Sequence, residues 1–421
     1  MTAHEAGELE VLAGKFFQPR TPIANKDLFS GRWDEITKLA DAIAQPGLHA
    51  VIYGERGVGK TSLANVIGPV VQYVFDNTEP GKDPERLIAK VIAESMDDFS
   101  AIWRKMFDEI AWESKHEHFG LRRGSMREVK SVNEAFSLPL DLGVNDVRRV
   151  LAEMPGAVFI IDEFDRAVEA SSAQITDLIK SLSDSSTDCT IIIVGVSDTV
   201  DTLIADHASI GRAIVQVHLP RMDREDLGKI LTKAQESLKV EFSTVASGLI
   251  VHVSQGFPHY THLLGKEAVR LAARRFSRKI ERIDAIGALK DAVKQAQQSV
   301  TDVFVKATHS THRNTFYREV LLACALTAAT KVDRLGFFTA GAVARPLEQV
   351  VGKPIPITTF NKHLKAFCGP QRGCALERTG QNKGYRYRFR DPLLVPFIFM
   401  DAVSSGSVYD EDLARMLANE F

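Results

Sequence analysis

The chain has 421 residues, 45% of them hydrophobic and 25% charged, which excludes disordered, collagenous and disulfide-scaffold classes. At about 150 residues per domain the length predicts two or three domains. With 52 Lys and Arg against 54 Asp and Glu the formal charge is -2, so a nucleic-acid role finds no support in the overall charge, and any basic surface must be local.

The start, MTAHEAGELEVLAGKFF, carries acids where a signal peptide is basic and apolar. The longest apolar run, Leu393 to Met400, is broken by Pro396 and falls far short of the ~20 residues of a membrane span. Both observations predict a cytoplasmic protein. The cysteines, Cys189, Cys324, Cys368 and Cys374, include no pair at the spacing of a zinc knuckle or redox motif, so they read as reduced, buried thiols.

In chain order, apolar and β-branched runs at His49 to Tyr53, Arg86 to Ile92, Ala157 to Ile161, Thr190 to Gly195 and Ala213 to Leu219 alternate with helical patterns. This is the signature of an α/β fold with buried parallel strands and helical crossovers, with a ligand expected at the strands' carboxyl ends. The third and fourth runs, almost wholly apolar, are expected at the sheet centre. Residues 112–137 are charged and aperiodic and read as a surface insertion. From Asp223 to about Val305 three helical patterns follow one another with little sign of sheet. Beyond Thr311 come three further helices and a hairpin with a Gly-rich turn, the order of a winged helix. The expected division is an α/β domain at 1–221, a helical domain at 222–306, a winged helix at 307–400 and a tail at 401–421.

Between the first strand and its helix lies Gly54-Glu55-Arg56-Gly57-Val58-Gly59-Lys60-Thr61, followed by Ser62, a fit to the phosphate-loop pattern G-x-x-x-x-G-K-[ST] in its proper context. Glycines let the backbone N–H groups turn toward phosphate, and the helix that follows adds the positive end of its dipole. Lys60 is then the partner of the β- and γ-phosphates of ATP, and Thr61 a ligand of Mg2+. The buried run at Val158 to Ile161 ends in Asp162-Glu163, offering one carboxylate to the metal and a neighbour to orient and deprotonate water.

These motifs resemble the AAA+ ATPases, and within them the initiator-type branch that includes the origin-recognition ATPases. The resemblance extends to Phe29 to Arg32, Val194 to Asp198, Ile210 to Met222 and Gly256 to Gly265, and so covers most of the chain. It implies a three-layer αβα domain with lid and winged helix, and ATP held between the first two. It also implies that Ile23 and the Leu28 to Arg32 segment either line the base or pack the N-terminus. Ser197 or Asp198 takes the place of a polar sensor, where many relatives have Asn, or Asp198 is a helix cap. Arg212, with Arg221 in reserve, is an arginine finger of a homo-oligomer, or else a surface arginine. His259 stands where relatives place an arginine over the γ-phosphate; mostly neutral near pH 7, it pulls less, so that either lid closure on ATP is loose or hydrolysis is slow, or else His259 only packs the lid.

Lys353 to Arg390 holds nine Lys and Arg against one acid, Glu377, a local basic patch. In a winged helix the third helix enters the major groove of double-stranded DNA and the wing touches phosphate. Thr359, Asn361, Lys362 and Lys365 are the groove candidates, and Arg378, Lys383, Arg386 and Arg388 the wing candidates. Strand alternation alone also exposes arginines, and winged helices serve as protein docks too. Two further functions therefore stand beside a DNA-engaging ATPase: a nucleotide switch that assembles with a partner protein, as in a bacterial defence or toxin-control system, and a transposition-type ATPase regulator.

Overall fold

The computed structural model describes residues 1–19, 32–68, 86–117, 125–204, 210–310, 315–330, 332–333, 335–381 and 384–418. They form two compact units. One comprises Pro22–Glu55 and Gly59–Pro220; the other comprises Met1–Thr21, Arg56–Val58 and Arg221–Phe421.

The first is a sheet unit. Its strands β1 (His49–Gly54) and β2 (Ile88–Ile92) belong to the same sheet as β5 (Ala157–Asp162), β6 (Cys189–Val196) and β7 (Ile214–His218). All pair in parallel, in the order β2-β5-β6-β1-β7. Every residue of β5 and all but the last of β6 are buried, as two-sided coverage of a parallel sheet requires. The order reverses at β1, which sits between β6 and β7, and a reversal of this kind opens a crevice at the strands' carboxyl ends. Among the described residues the unit also holds helices α2 (Trp33–Ala44), α3 (60–68), α4 (Phe99–Asp108), α5 (Val132–Ala135), α6 (Val144–Ala152) and α7 (Glu169–Asp184). Trp103 of α4 is fully buried, with its ring 5.6 Å from that of Phe107 and 5.8 Å from that of Phe159 on β5.

The segment expected as an aperiodic insertion is instead a two-stranded antiparallel ribbon, β3 (Ala111–Glu117) with β4 (Ser125–Ser131), running into α5. Its base is fixed by Trp112 packing edge-on against Phe136 at 5.1 Å.

The second unit is mainly helical. It holds α1 (Ala3–Phe16), whose capping box joins Thr2 and Glu5, then α8 (Arg224–Leu238), α9 (Thr244–Ser254), α10 (Pro258–Arg274), α11 (Arg282–Gln295) and α12 (Gln298–Thr308). Asp223 and Ser243 cap α8 and α9 by accepting from the N–H groups of Asp226 and Ala246, which satisfies donors a helix start leaves open. One small element of sheet does occur here, a two-residue parallel pair β8 (Glu241–Phe242) with β9 (Lys279–Ile280). Next come α13 (Tyr317–Thr330), β10 (Phe338–Thr339), α14 (Ala340–Val351), α15 (Ile357–Phe367), β11 (Leu376–Thr379) and β12 (Arg386–Phe389), with sheet order β10-β12-β11. The apolar helix α16 (Leu394–Ser404) and α17 (Asp410–Ala418) are the last described elements.

Two boundaries differ from those read in the sequence. The N-terminal helix α1 clusters with the helical unit and not with the sheet that follows it, because Phe17, at its end, lies against Gly265 of α10. Residues 401–418 are not a plain tail: α17 is tied by a bidentate pair from Arg282 to Asp410 at 2.7 Å. Among the described residues no helix is long and apolar enough to cross a membrane.

Candidate nucleotide-binding site

β1 delivers the chain to Gly54, where the loop begins. There φ is +151°, and a Cβ would lie 2.4 Å from the carbonyl oxygen of Leu219, so only glycine lets this strand end pass the backbone beyond β7. Gly59, at φ +101°, turns the chain into α3. Lys60 is nearly buried, and its ammonium donates to the carbonyls of Gly54 at 2.9 Å and Glu55 at 2.7 Å. The residues between, Arg56 to Val58, group with the helical unit. There Arg56 pairs with Asp391 at 3.4 Å, and a Cβ on Gly57 would meet the Leu393 side chain. Ser62 is half-buried on α3.

β5 delivers Asp162, 2% exposed. Its Oδ1 accepts from the Glu163 N–H at 2.9 Å and from the Thr61 hydroxyl at 3.4 Å. The two halves of the motif are thus brought together within the sheet unit. Its Oδ2 has no hydrogen-bond partner, yet the ammonium of Lys90 stands 2.8 Å away, out of hydrogen-bond alignment. The same ammonium donates to Asn65 on α3 at 2.6 Å. Nothing in the motifs pointed to Lys90 or Asn65; the signal was a lone lysine inside an apolar strand run. Glu163 has left-handed backbone, φ +54°, and its half-exposed carboxylate pairs with Arg166 at 2.5 Å. That pairing raises the pKa of Arg166.

After β6, the Ser197 N–H donates to the Gly54 carbonyl at 3.4 Å, beside the start of the loop, while its hydroxyl turns to the Thr199 carbonyl at 2.6 Å and to Thr202. Asp198 is exposed. Asp165, not singled out in the sequence, holds the end of β6 by accepting from the Val196 N–H at 2.7 Å.

Arg212 is exposed just ahead of β7. Ile23 and Leu28 to Gly31 lie outside the described residues. Arg32 is buried in left-handed backbone and engages Glu35 at 3.3 Å and the Pro220 carbonyl, a packing arrangement at the end of β7. In the helical unit, Arg221 lies over the ring of Phe257 at 4.7 Å, and His259 contacts the Pro19 carbonyl and packs edge-on against Tyr260 at 5.0 Å.

On α15, Thr359, Lys362 and Lys365 are exposed, whereas half-buried Asn361 accepts from the Tyr387 hydroxyl at 3.5 Å. The wing arginines are internally engaged. Arg386 pairs with Asp333 at 2.7 Å, Arg388 pairs with Glu377 and donates to the Leu335 carbonyl at 3.1 Å, and Arg378 lies over Tyr385 at 4.8 Å. Lys383 lies outside the described residues. Among the described residues no cluster of His, Cys, Asp or Glu could hold a metal by itself, so His363, Cys368 and Cys374 form no such site.

Comparison with curated protein sequences finds no match. Among solved structures, the Walker-type ATPase PABY2304 of Pyrococcus abyssi superposes with a TM-score of 0.50 at 16% identity, over 91% of this chain and 99% of that one. The Aeropyrum pernix ORC2 protein, in its ADPNP-ADP complexes, gives 0.49 at 13% identity, over 96% and 98%. The first likeness shows a P-loop ATPase fold, the αβα class expected from the motifs. A family profile described as Novel STAND NTPase 1 matches residues 21–336, well over half of the chain. The fold, the strand-loop-helix at Gly54 to Thr61 and this match agree: the chain belongs to the Novel STAND NTPase 1 family of P-loop NTPases.

Proposed function

We propose that the chain is a Mg2+-dependent ATPase, cytoplasmic and homo-oligomeric, whose nucleotide state governs how a C-terminal winged helix, α13 to α15 with β10 to β12, engages double-stranded DNA. The observation that carries the nucleotide part is the meeting of Lys60, Thr61 and Asp162 at the carboxyl ends of β1 and β5. The donor set fits Mg2+: a hydroxyl and a buried carboxylate lie together, and one carboxylate oxygen lacks a hydrogen-bond partner, which suits a hard cation that prefers oxygen ligands. Thr61 and Asp162 would hold the ion, which when bound neutralises charge developing between the β- and γ-phosphates.

For its part the protein binds and orients. Lys60 leaves the Gly54 and Glu55 carbonyls for phosphate oxygens, while the loop N–H groups and the α3 dipole fix the triphosphate. Glu163 accepts the proton of the attacking water as the bond between the γ-phosphorus and the bridging oxygen breaks, leaving ADP and phosphate. In this structure the Glu163 carboxylate faces Arg166, so it must first turn from that partner, which supports slow turnover. Arg212, exposed ahead of β7, suits a finger reaching a neighbouring subunit, and Ser197 beside the loop suits the sensor.

The test is light scattering and duplex binding with no nucleotide, with ATP, and with Glu163→Gln to hold the ATP state. Mass and DNA affinity that ignore nucleotide would refute the coupling. A second reading, docking of a partner protein on the winged helix, is favoured by the carboxylates that already answer Arg386 and Arg388. Phosphate contacts predict affinity that falls steeply with salt and is lost in an Arg386→Glu, Arg388→Glu variant. Absence of duplex binding even at about 50 mM salt would select the protein partner.

A further inference from the structure

Lys90 lies on β2, the edge strand of the sheet, two residues before Ile92, which is the position that faces Asp162 across the pair. An isolated carboxylate as enclosed as that of Asp162 is costly to keep ionised. Lys90 supplies the positive charge that offsets it. The contact has two peculiarities: the ammonium is close, at 2.8 Å, yet the oxygen it faces remains without a hydrogen bond, and the ammonium's aligned acceptor is Asn65 at 2.6 Å. An optimised permanent ion pair would use both charges for aligned bonding. Here the cation is held by a second residue, one turn along the helix that follows Thr61, and it presents its charge to an oxygen left open.

We infer that Lys90 is a tethered counter-ion that takes the metal's electrostatic place on Asp162, so that Mg2+ must displace its ammonium to enter, with Asn65 retaining it at the margin. The inference rests on the proposed Mg2+·ATP site and deepens it. Lys90 is a positioning residue, because it acts through Asp162 and sets the Mg2+ concentration at which nucleotide is gripped. No proton or covalent bond moves. One cation replaces another beside a single carboxylate oxygen, and the lysine keeps its hydrogen bond to Asn65 throughout.

The experiment is equilibrium binding of a fluorescent ATP analogue to the full chain, starting from EDTA and titrating Mg2+, for wild type, Lys90→Met, Lys90→Arg and Asp162→Asn. Removing the competitor in Lys90→Met lowers the half-saturating Mg2+ concentration about tenfold, which is about 1.4 kcal/mol. Lys90→Arg, which keeps the cation, stays within about twofold of wild type, and Asp162→Asn loses the Mg2+ dependence. Without metal, Lys90→Met also melts lower than wild type and regains more on adding Mg2+, a readout independent of turnover. If wild type requires Mg2+ but the midpoint of Lys90→Met is unchanged or higher, the counter-ion role is overturned and the ATPase reading stands. If wild type binds the analogue equally well in EDTA, the metal site itself fails, and the inference with it. Should Lys90→Met not fold, Lys90→Gln carries the same expectation, and an unchanged midpoint there overturns the inference equally.

Discussion

His49 opens β1, the strand that carries the phosphate loop, and it is fully buried. Its Nδ1 accepts the Ile191 N–H of β6 at 3.0 Å, while Nε2 has no partner. Burial lowers its pKa from 6.5 to about 4, so the folded sheet unit keeps this ring neutral while the unfolded chain protonates it. Between pH 6.5 and 4 the unfolded state therefore binds more protons, and stability falls as pH falls through that window. With these two values the loss is about 1.3 kcal/mol on going from pH 7.5 to 5.5, and about 3 kcal/mol by pH 4. The perturbation is His49→Asn, which keeps an acceptor near the Nδ1 position and removes the titration. All three tryptophans, Trp33, Trp103 and Trp112, lie in the sheet unit, so urea unfolding followed by tryptophan fluorescence reports on this unit alone. His262 of the helical unit, similarly lowered to about 4, is present in both proteins and cancels in their comparison. Wild type should lose about 1.3 kcal/mol more than the variant between the two pH values, whatever the variant's own stability. Parallel pH dependence in the two proteins would show that His49 is hydrated or paired in solution.

Three other outcomes follow from the geometry. Lys60→Ala, which removes the ammonium now resting on the Gly54 and Glu55 carbonyls, should weaken ATP about a hundredfold or more, consistent with loss of a charge-assisted contact, and calorimetric titration reads this. Glu163→Gln should leave ATP affinity within about threefold while cutting phosphate release about a hundredfold or more; equal turnover would exclude Glu163 as the proton acceptor. Gly265→Ala would push a methyl to 2.7 Å from the Phe17 ring. Overpacking of that kind costs about 1–3 kcal/mol, and limited proteolysis should show the α1 segment released earlier than in wild type.

The parts of the site legible in the sequence are those written in consecutive residues. The phosphate loop reads from glycine spacing, and the carboxylate pair from its place at the end of an apolar strand; both rest on local backbone geometry. What stayed hidden depends on register between strands. Lys90 reads as a polar interruption of an apolar run, and only the parallel pairing of β2 with β5 brings it to Asp162. Likewise Arg386 and Arg388 look like free wing charges until Asp333 and Glu377 are folded against them. The ribbon β3–β4 eluded reading because charged residues are scattered through both AWESKHE and SMREVKS, leaving no apolar period to detect. Helix α1 joins the helical unit through α10, which lies far along the chain, and no local rule in the sequence names such a partner.

The strand order has a consequence for synthesis. β1 is made first among the five strands of the sheet but lies between β6 and β7, so its backbone groups stay open on both sides until the last two strands leave the ribosome. Helix α1, translated earlier still, waits even longer for α10. The nascent protein must therefore carry two unsatisfied surfaces through most of elongation, one of them a strand edge able to pair with another chain, and fast folding on release has greater value for this molecule than for one assembled from neighbours in sequence.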